Sequence, residues 1–200
     1  MRLPFSLIAA VLVAMLLAAP LAAQEEGTFD LPGEATPPPP EIAGLETFEV
    51  ASAAHTEEDV DYPQDPPAGG PHNPVWQTCG YYEAPVLPEH AVHSQEHGAV
   101  WITVRPGLSE REVTLLQRLA ERNDFVLVSP YPEQHEPVIA SAWGAQLRLD
   151  EATDPRLRAF VRAYAGNGPE PGAPCDGGTE ETLAVPAASP VASPAASPTA

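Results

Sequence analysis

The order of the hydrophobic segments predicts an α+β fold, a small sandwich in which helices pack on a mixed β-sheet. Residues 99–104 and 125–129 are nearly continuous apolar runs rich in β-branched side chains, typical of strands buried on both faces. Residues 110–122 between them carry the apolar stripe of an amphipathic helix. A strand, a helix and a strand in this order indicate a right-handed parallel crossover. One further strand region and a last helix complete a β-α-β-β-α core.

The crossover helix has a clear beginning. Ser109 is followed three residues later by Glu112, which is the pattern of a capping box. Val113 and Leu116 then start the stripe of apolar residues that faces the core. We therefore expect a helix over residues 110–122.

The second half of the domain is predicted to add a strand region and a helix. Residues 138–149 form one long strand, or two strands with a bend near Gly144. We expect this region to pair antiparallel with the strand before it. Asp154 and Pro155 suit the N-cap and first position of a last helix, which ends at Gly166.

Four regions follow one another along the chain of 200 residues. Residues 1–23 are predicted to be a signal peptide, with an uncleaved N-terminal anchor as the alternative. Residues 24–65 are an acidic, proline-rich linker that we expect to be mostly disordered. Residues 66–176 form the single folded domain, and residues 177–200 form a disordered tail rich in alanine, serine and proline. The protein is thus predicted to be secreted or extracytoplasmic.

Within the linker, one cluster of apolar residues indicates a short ordered piece. Its members are Ile42, Leu45, Phe48 and Val50. The rest of the linker has too few large apolar side chains to build a core of its own.

The charge of the chain argues against polyanionic partners. The formal net charge is −19, with no lysine and nine arginines that form no dense cluster in the sequence. Nucleic acid and anionic membrane surfaces are therefore predicted to be poor partners. A diffuse negative field favours cations instead.

A histidine-rich stretch predicts a metal site. Residues 90–98 hold three of the six histidines of the chain and one glutamate. On a helix, His90, His93 and His97 share one face, and the last two, at i and i+4, can reach one ion. Pro88 suits the first helical position, and Gly98 suits the position just past the end.

A proline-rich loop supplies the candidate for an extra ligand. His72 lies within residues 61–76, between Pro71 and Asn73-Pro74, so its backbone is stiff. Imidazole ligands suit zinc and divalent copper. We therefore predict an exported protein that binds a transition metal for storage, delivery or sensing. The predicted metal ligands are His72, His93 and His97, with Glu96 or His90 completing the shell.

Two other functions fit the same residues. The stretch from His93 to His97 matches the H-x-x-E-H pattern of inverted zinc peptidases, in which Glu96 would activate water. Alternatively, the histidines bind loop carbonyls and hold the proline-rich segment in place without metal, in a domain that binds an envelope partner. The hydrolase is the less favoured interpretation, because the pattern is short and a strand follows it at once. We therefore expect that the protein is not an enzyme.

The two cysteines of the chain, Cys79 and Cys175, lie at opposite ends of the predicted domain. In an oxidising compartment this arrangement suggests one disulfide. The alternative is that Cys79 is a thiolate ligand close to the histidines.

Several motifs resemble a known family. They are Gly-Gly-Pro-His-Asn-Pro-Val-Trp, Cys-Gly-Tyr-Tyr, Ala-Val-His-Ser-Gln-Glu-His-Gly-Ala-Val-Trp-Ile-Thr, Val-Leu-Val-Ser-Pro-Tyr-Pro and Ala-Ser-Ala-Trp-Gly. Together they resemble the domain-of-unknown-function family 3105 of exported bacterial proteins, over residues 61–175. The resemblance implies one exported domain and supplies no reaction. Its motif positions are His72, His93, Glu96, His97, Trp101 and Trp143.

Overall fold

The computed structural model describes residues 41–184. The helices are α1 (Pro88–Glu96), α2 (Glu110–Glu121) and α3 (Pro155–Tyr164). The strands are β1 (Leu45–Thr47), β2 (Gly80–Tyr81), β3 (Val100–Val104), β4 (Val126–Pro130), β5 (Val138–Ala142) and β6 (Ala145–Leu149). The proposed signal peptide, the linker up to residue 40 and the tail from residue 185 lie outside the described residues.

The strands form one mixed sheet in the order β1-β6-β5-β3-β4-β2. Strands β3 and β4 are parallel and joined by α2, so the predicted crossover is confirmed. Strand β2 adds a second parallel pair at the edge beside β4. The remaining neighbours, β3 with β5, β5 with β6 and β6 with β1, are antiparallel. The fold class predicted from the sequence, α+β with helices on a mixed sheet, is confirmed.

The predicted strand region at 138–149 is a hairpin, and the partner expected for it is wrong. The chain turns at Gly144, where φ is +70°, and β6 returns along β5. β5 pairs with β3, not with β4, because β2 already occupies the free edge of β4. The loop after β4 crosses the end of β3, where the Tyr131 N–H donates to the Val104 carbonyl at 2.8 Å. This crossing delivers β5 to the far side of β3.

The ordered part of the chain begins before the boundary predicted at residue 66. β1 pairs with β6, and Ile42 is buried in the main core. The Phe48 N–H donates to the Gly144 carbonyl at 2.8 Å. The short ordered piece expected around Ile42 and Leu45 is thus β1, which forms backbone hydrogen bonds with the outer edge of β6. Ordered contacts also continue past residue 176, since Thr179 bridges to Gln77.

The two faces of the sheet bury different clusters. The larger core lies under α2 and α3 and includes Ile102, Leu116 and Phe160. Neighbouring side chains on a strand point to opposite faces, so Trp101, adjacent to Ile102, belongs to the other face. There it joins a smaller cluster with Ala91 of α1. The sheet therefore lies between α1 on one side and the two longer helices on the other.

The helix ends follow the signals in the sequence. Ser109 and Glu112 form both hydrogen bonds of the capping box at the start of α2. The Asp154 carboxylate accepts the Arg156 N–H at 2.8 Å, and Pro155 occupies the first position of α3. Pro88 likewise opens α1, which has no side-chain cap. These local signals predicted where each helix starts.

Cys79 and Cys175 form a disulfide, with their Cα atoms 5.3 Å apart. The alternative, in which Cys79 is a thiolate ligand, is excluded by this bond. The bond joins the start of β2 to the segment that follows α3. Among the residues that the structure describes, no helix is both long and apolar enough to cross a membrane.

Candidate metal centre

The histidines meet where the C-terminal half of α1 is surrounded by three loops. These loops are the proline-rich loop (residues 61–76), the strap (residues 50–60) that runs along it, and the segment after α3 (residues 165–176). Buried glutamines hold the proline-rich loop in place, since its prolines accept hydrogen bonds but donate none. Gln95 donates to the Pro67 carbonyl at 3.0 Å, and Gln146 donates to the Pro66 carbonyl at 2.9 Å.

His72 is completely buried at the centre of this arrangement. Its Nδ1 lies 2.8 Å from the Gly70 carbonyl oxygen. A carbonyl only accepts, so Nδ1 carries the proton and Nε2 of the neutral ring carries a lone pair. The strap pairs with its backbone: the Thr56 N–H donates to the His72 carbonyl at 2.7 Å, and the His72 N–H donates to the Ala54 carbonyl at 3.1 Å.

His93 and His97 repeat this pattern on α1 and at its C-cap. Nδ1 of His93 donates to the Asn73 carbonyl at 2.7 Å, and Nδ1 of His97 donates to the Pro174 carbonyl at 2.7 Å. Both rings are at least 95 % buried, with relative exposures of 4 % and 5 %. In metal proteins, a hydrogen bond from the second ring nitrogen to a carbonyl orients the ring and leaves the other nitrogen for the ion. All three histidines have this arrangement.

The contact between His72 and Glu96 departs from an ordinary ion pair. His72 Nε2 lies 3.0 Å from Glu96 Oε2. Nevertheless, among the described residues this buried nitrogen has no hydrogen-bond partner of acceptable geometry. With the ring proton on Nδ1, both atoms are acceptors, and two acceptors this close repel each other unless a cation lies between or beside them. The cation is either a second ring proton or a metal ion.

The potential ligand atoms form two overlapping groups. The inner position consists of His55, His72, His93 and Glu96, and the outer position consists of His93, His97 and Glu170. Within each group the ligand atoms all lie within 4.8 Å of one another. The ring centroid of His93 is 4.7 Å from that of His72 and 4.6 Å from that of His97. His93 is therefore the shared member, and the other two histidines of the predicted set fall into different groups.

His90 takes no part in either group, although it precedes His93 by one helical turn. Its Nδ1 donates to the carbonyl of Val75. Of the predicted row of three histidines, His93 and His97 therefore belong to the cluster and His90 does not.

Burial keeps the shared ring neutral. The pKa of His93 is lowered to about 4 from the ordinary 6.5, mainly by burial and also by charge repulsion from His72, His97 and His55. The hydrogen bond to the Asn73 carbonyl raises the pKa but does not offset the burial. At neutral pH the His93 ring therefore presents a lone pair, as a metal ligand must.

Two tryptophan rings pack against the histidine cluster. The Trp143 ring meets the His72 ring edge-on with centroids 5.9 Å apart. The Trp76 ring lies 4.9 Å from the His97 ring and 5.7 Å from the His93 ring. Such an apolar shell limits the access of water and strengthens electrostatic interactions inside it.

A family profile described as a protein of unknown function (DUF3105) matches residues 54–177, more than half of the chain. The chain belongs to this family. Comparison with curated proteins and with solved structures found no significant match. Every residue of the inner and outer positions lies within the DUF3105 region.

Two members of the cluster in this DUF3105 domain were not predicted from the sequence. His55 is exposed and lies on the strap, and Glu170 is 61 % exposed and follows α3. Glu170 Oε2 lies 3.4 Å from His97 Nε2. His55 stands alone among acidic residues, so no spacing links it to the other histidines. The predicted disulfide between Cys79 and Cys175 could have indicated that Glu170 lies near the histidines, because the bond holds the segment after α3 close to α1.

That segment also closes the end of α1. The Glu170 N–H donates to the Glu96 carbonyl at 3.1 Å, and the Gly166 N–H donates to the Gly98 carbonyl at 2.9 Å. Gly98 has φ +105° and packs against the backbone of residues 166–168. The last carbonyl of α1, that of Glu96, is thus satisfied by the same segment that carries Glu170.

Arginines that are scattered in the sequence meet on the opposite side of the domain. Arg111 and Arg118 lie on one face of α2 and Arg122 is its C-cap residue; together with Arg158 of α3 they line a groove of about 700 Å³. In the described part of the chain none of these four forms a salt bridge. The expectation of no dense arginine cluster therefore holds for the sequence but not for the folded surface.

Proposed function

We propose that this DUF3105 protein binds one transition-metal ion at the inner position. The ligands are Nε2 of His72, Nε2 of His93 and the carboxylate of Glu96, with His55 as a further ligand from the strap. The sequence predicted His97 as a ligand of the same ion. In this proposal His97 belongs to the outer position instead. His90 is not a ligand in this proposal, since it belongs to neither group.

The observation that carries the proposal is the contact between His72 and Glu96. Ligand bonds of 2.0–2.2 Å in a tetrahedral shell place neighbouring ligand atoms about 3.3 Å apart. The separation of 3.0 Å between Nε2 and Oε2 is close to this value and lacks the geometry of a hydrogen bond. Anchored Nδ1 atoms on both ring ligands then supply the orientation that metal-binding histidines require.

The donor types favour zinc or divalent copper. Imidazole nitrogen with one carboxylate oxygen suits both ions. Soft ligands for monovalent copper are missing from the described domain, because both cysteines are in the disulfide and both methionines, Met1 and Met15, precede it. We therefore propose a divalent ion as the cargo.

The role that we propose is storage, delivery or sensing of this ion outside the cytoplasm. A disulfide in a domain of this size is typical of an oxidising compartment. Residues 1–23 fit a signal peptide by sequence. Secretion of a fusion to this segment, with cleavage after about residue 23, is the direct check on export.

Metal analysis of purified variants tests the proposal. The protein is loaded with zinc, desalted and analysed for zinc and protein, as wild type and as His93→Gln, Glu96→Gln and His90→Gln. We expect one ion per chain in the wild type and at least tenfold weaker binding in the first two variants, since each loses a ligand. His90→Gln is the matched control on the same helix and retains the ion. Equal zinc content in all four proteins would contradict the proposal.

A second candidate is a structural role without metal. The observation in its favour is that the three anchored rings bind carbonyls of the proline-rich loop, at Gly70 and Asn73, and of the segment after α3, at Pro174. In that case His93→Gln lowers the stability of the metal-free protein, and the wild type takes up no zinc. Metal content and thermal unfolding, measured on the same samples, separate the two candidates.

The hydrolase alternative would use a different set of metal ligands. His93 and His97 of the H-x-x-E-H pattern share the outer position with Glu170, a third potential ligand. Glu96, the water-activating residue of that pattern, lies beside His72 instead and is a member of the inner position. Support for a hydrolase requires a measurable hydrolysis that Glu96→Gln abolishes while the metal is retained.

A further inference from the structure

We propose that the ion enters and leaves through the outer position, and that His93 carries it between the two positions. This inference rests on the proposed function, since it concerns the exchange of the same ion. It makes the protein a carrier that hands its metal to an acceptor in solution, rather than one that holds the metal permanently. The cargo remains a divalent ion with affinity for imidazole and carboxylate.

The two positions are alternatives, because they share a single nitrogen atom. Nδ1 of His93 is bonded to the Asn73 carbonyl at 2.7 Å, so Nε2 is its free ligand atom. One lone pair binds one ion. Both positions therefore cannot be filled at once through His93, and an ion that moves from one to the other keeps this bond while its other bonds change.

The ligands of the two positions differ in access to water. In the inner position His72 is fully buried, and the side chain of Glu96 is 13 % exposed. In the outer position the side chain of Glu170 is 61 % exposed, and that of His97 is 5 % exposed. Glu170 thus presents a charged oxygen to solvent, where it can capture a hydrated cation before the buried rings do. His55 is also exposed, and it covers the inner position from the side of the strap.

The transfer is a ligand exchange without electron transfer. Leaving the inner position, the ion loses the Glu96 oxygen and the His72 nitrogen and gains the His97 nitrogen and the Glu170 oxygen. In each ring Nδ1 is held by a backbone carbonyl, so Nε2 is the atom that gains or loses the ion. Replacing bonds one at a time avoids a bare ion in a buried site, which would be costly.

The outer position is the weaker one. It offers three potential ligands, whereas the inner position offers four. Its flexible, exposed carboxylate also loses conformational freedom when it binds. We therefore expect the ion to rest at the inner position and to visit the outer one during exchange.

The rate of zinc exchange in Glu170→Gln tests this inference. The zinc-loaded chain is mixed with excess colorimetric chelator, and in a second experiment free zinc is mixed with the metal-free chain. We expect Glu170→Gln to slow release and uptake by the same factor, about tenfold, which corresponds to roughly 1.4 kcal/mol in the barrier. If release and uptake slow by the same factor, the dissociation constant is unchanged. The substitution then affects the route of the ion and not the position at which it rests. Glu170→Asp, which keeps the carboxylate, restores part of the rate.

Glu121→Gln is the matched control, since Glu121 is an exposed glutamate on α2 that belongs to neither group. It exchanges zinc at the wild-type rate. If Glu170→Gln also exchanges at the wild-type rate, or if it releases zinc faster, the inference is wrong while the proposed function stands. If the wild type binds no zinc, the proposed function itself fails, so the two failures are distinguishable.

Discussion

At the scale of single residues, the chemistry of the centre depends on which nitrogen of each ring is free. Three backbone carbonyls, of Gly70, Asn73 and Pro174, hold Nδ1 of three of the four clustered histidines. The rings are therefore oriented by the fold before any ion arrives. Preorganisation of this kind lowers the cost of binding, because few side-chain rotations remain to be lost.

The lowered pKa of His93 predicts a pH-dependent stability of the metal-free protein. The folded ring has a pKa of about 4, against 6.5 in the unfolded chain, so the unfolded state binds the proton more readily between these values. The stabilisation is complete above about pH 6.5 and is lost as the pH falls toward 4, by at most about 1.4 kcal/mol per pH unit. Urea unfolding of the metal-free protein at several pH values measures it.

His93→Gln is the matched variant for that experiment, because glutamine does not titrate. Its free energy of unfolding should vary less between pH 6.5 and pH 4 than that of the wild type. Identical pH profiles for the two proteins would show that His93 is not the responsible group.

Residue-scale prediction from the sequence succeeded where a local pattern exists or where only two cysteines are available to pair. The capping box of Ser109 and Glu112 and the disulfide between Cys79 and Cys175 are confirmed. Helical spacing linked His93 to His97 but also included His90, because periodicity does not tell which rings meet a loop. His55 and Glu170 come from irregular segments, whose positions depend on tertiary contacts that no spacing encodes.

At the scale of elements, the short helix α1 presents the ligands and the segment after α3 supports it. Gly168 packs directly on the end of the helix: a Cβ there would lie 2.2 Å from the Glu96 carbonyl oxygen and 2.4 Å from the Gly98 nitrogen. Both contacts are with backbone atoms, which cannot rotate away. The position of Glu96 and His97 is therefore tied to a glycine outside the helix.

Gly168→Ala should accordingly destabilise the domain, by about 1–3 kcal/mol or more from overpacking, and weaken zinc binding. Gly172→Ala is the control in the same segment, because nothing lies within 4 Å of its Cβ and its positive φ alone costs about 1 kcal/mol. Urea unfolding and zinc titration compare the two. A Gly168→Ala variant that is as stable as Gly172→Ala would refute the tight contact.

The strap gives a second prediction at this scale. If His55 binds the ion, zinc ties the strap to the buried ligands and reduces its local opening. Cleavage after the exposed residues Glu57 and Glu58 by a glutamate-specific protease should then be slower in the zinc-loaded protein, up to about 100-fold when free zinc is 100 times its dissociation constant. The gel-based cleavage rate measures this effect. In His55→Gln the protection should largely disappear, and equal protection in both proteins would remove His55 from the ligand set.

Element-scale prediction recovered the crossover and the position of every helix, since caps and apolar stripes are local signals. It failed for the neighbour of β5. Hydrophobic patterns do not specify strand order, and the short strand β2, which takes the edge of β4, has only two residues. A strand of that length leaves no periodic signal.

At the scale of the whole molecule, the disulfide joins the two ends of the domain around the cluster. Its cysteines are separated by 96 residues, and the Cys79 N–H also donates to the Cys175 carbonyl at 2.8 Å. The neighbouring Pro174 carbonyl is the acceptor for His97. Ordered contacts extend beyond residues 66 and 176, since β1 pairs with β6 and Thr179 pairs with Gln77.

Replacing both cysteines, as Cys79→Ser with Cys175→Ser, should lower the free energy of unfolding by roughly 2–5 kcal/mol. The long loop is then no longer closed in the unfolded chain, whose entropy rises. Urea unfolding of the variant and the wild type, both without metal, gives the difference. A free energy of unfolding equal to that of the wild type would contradict a stabilising role for the bond.

The most direct measurement for the metal centre is anomalous X-ray diffraction at the zinc edge from crystals grown with zinc. We expect one strong peak per chain within about 2.0–2.2 Å of Nε2 of His72, Nε2 of His93 and a carboxylate oxygen of Glu96. The absence of an anomalous peak between His72 and Glu96, at saturating zinc, would contradict this expectation. In that case a proton, and not a metal ion, bridges the two groups.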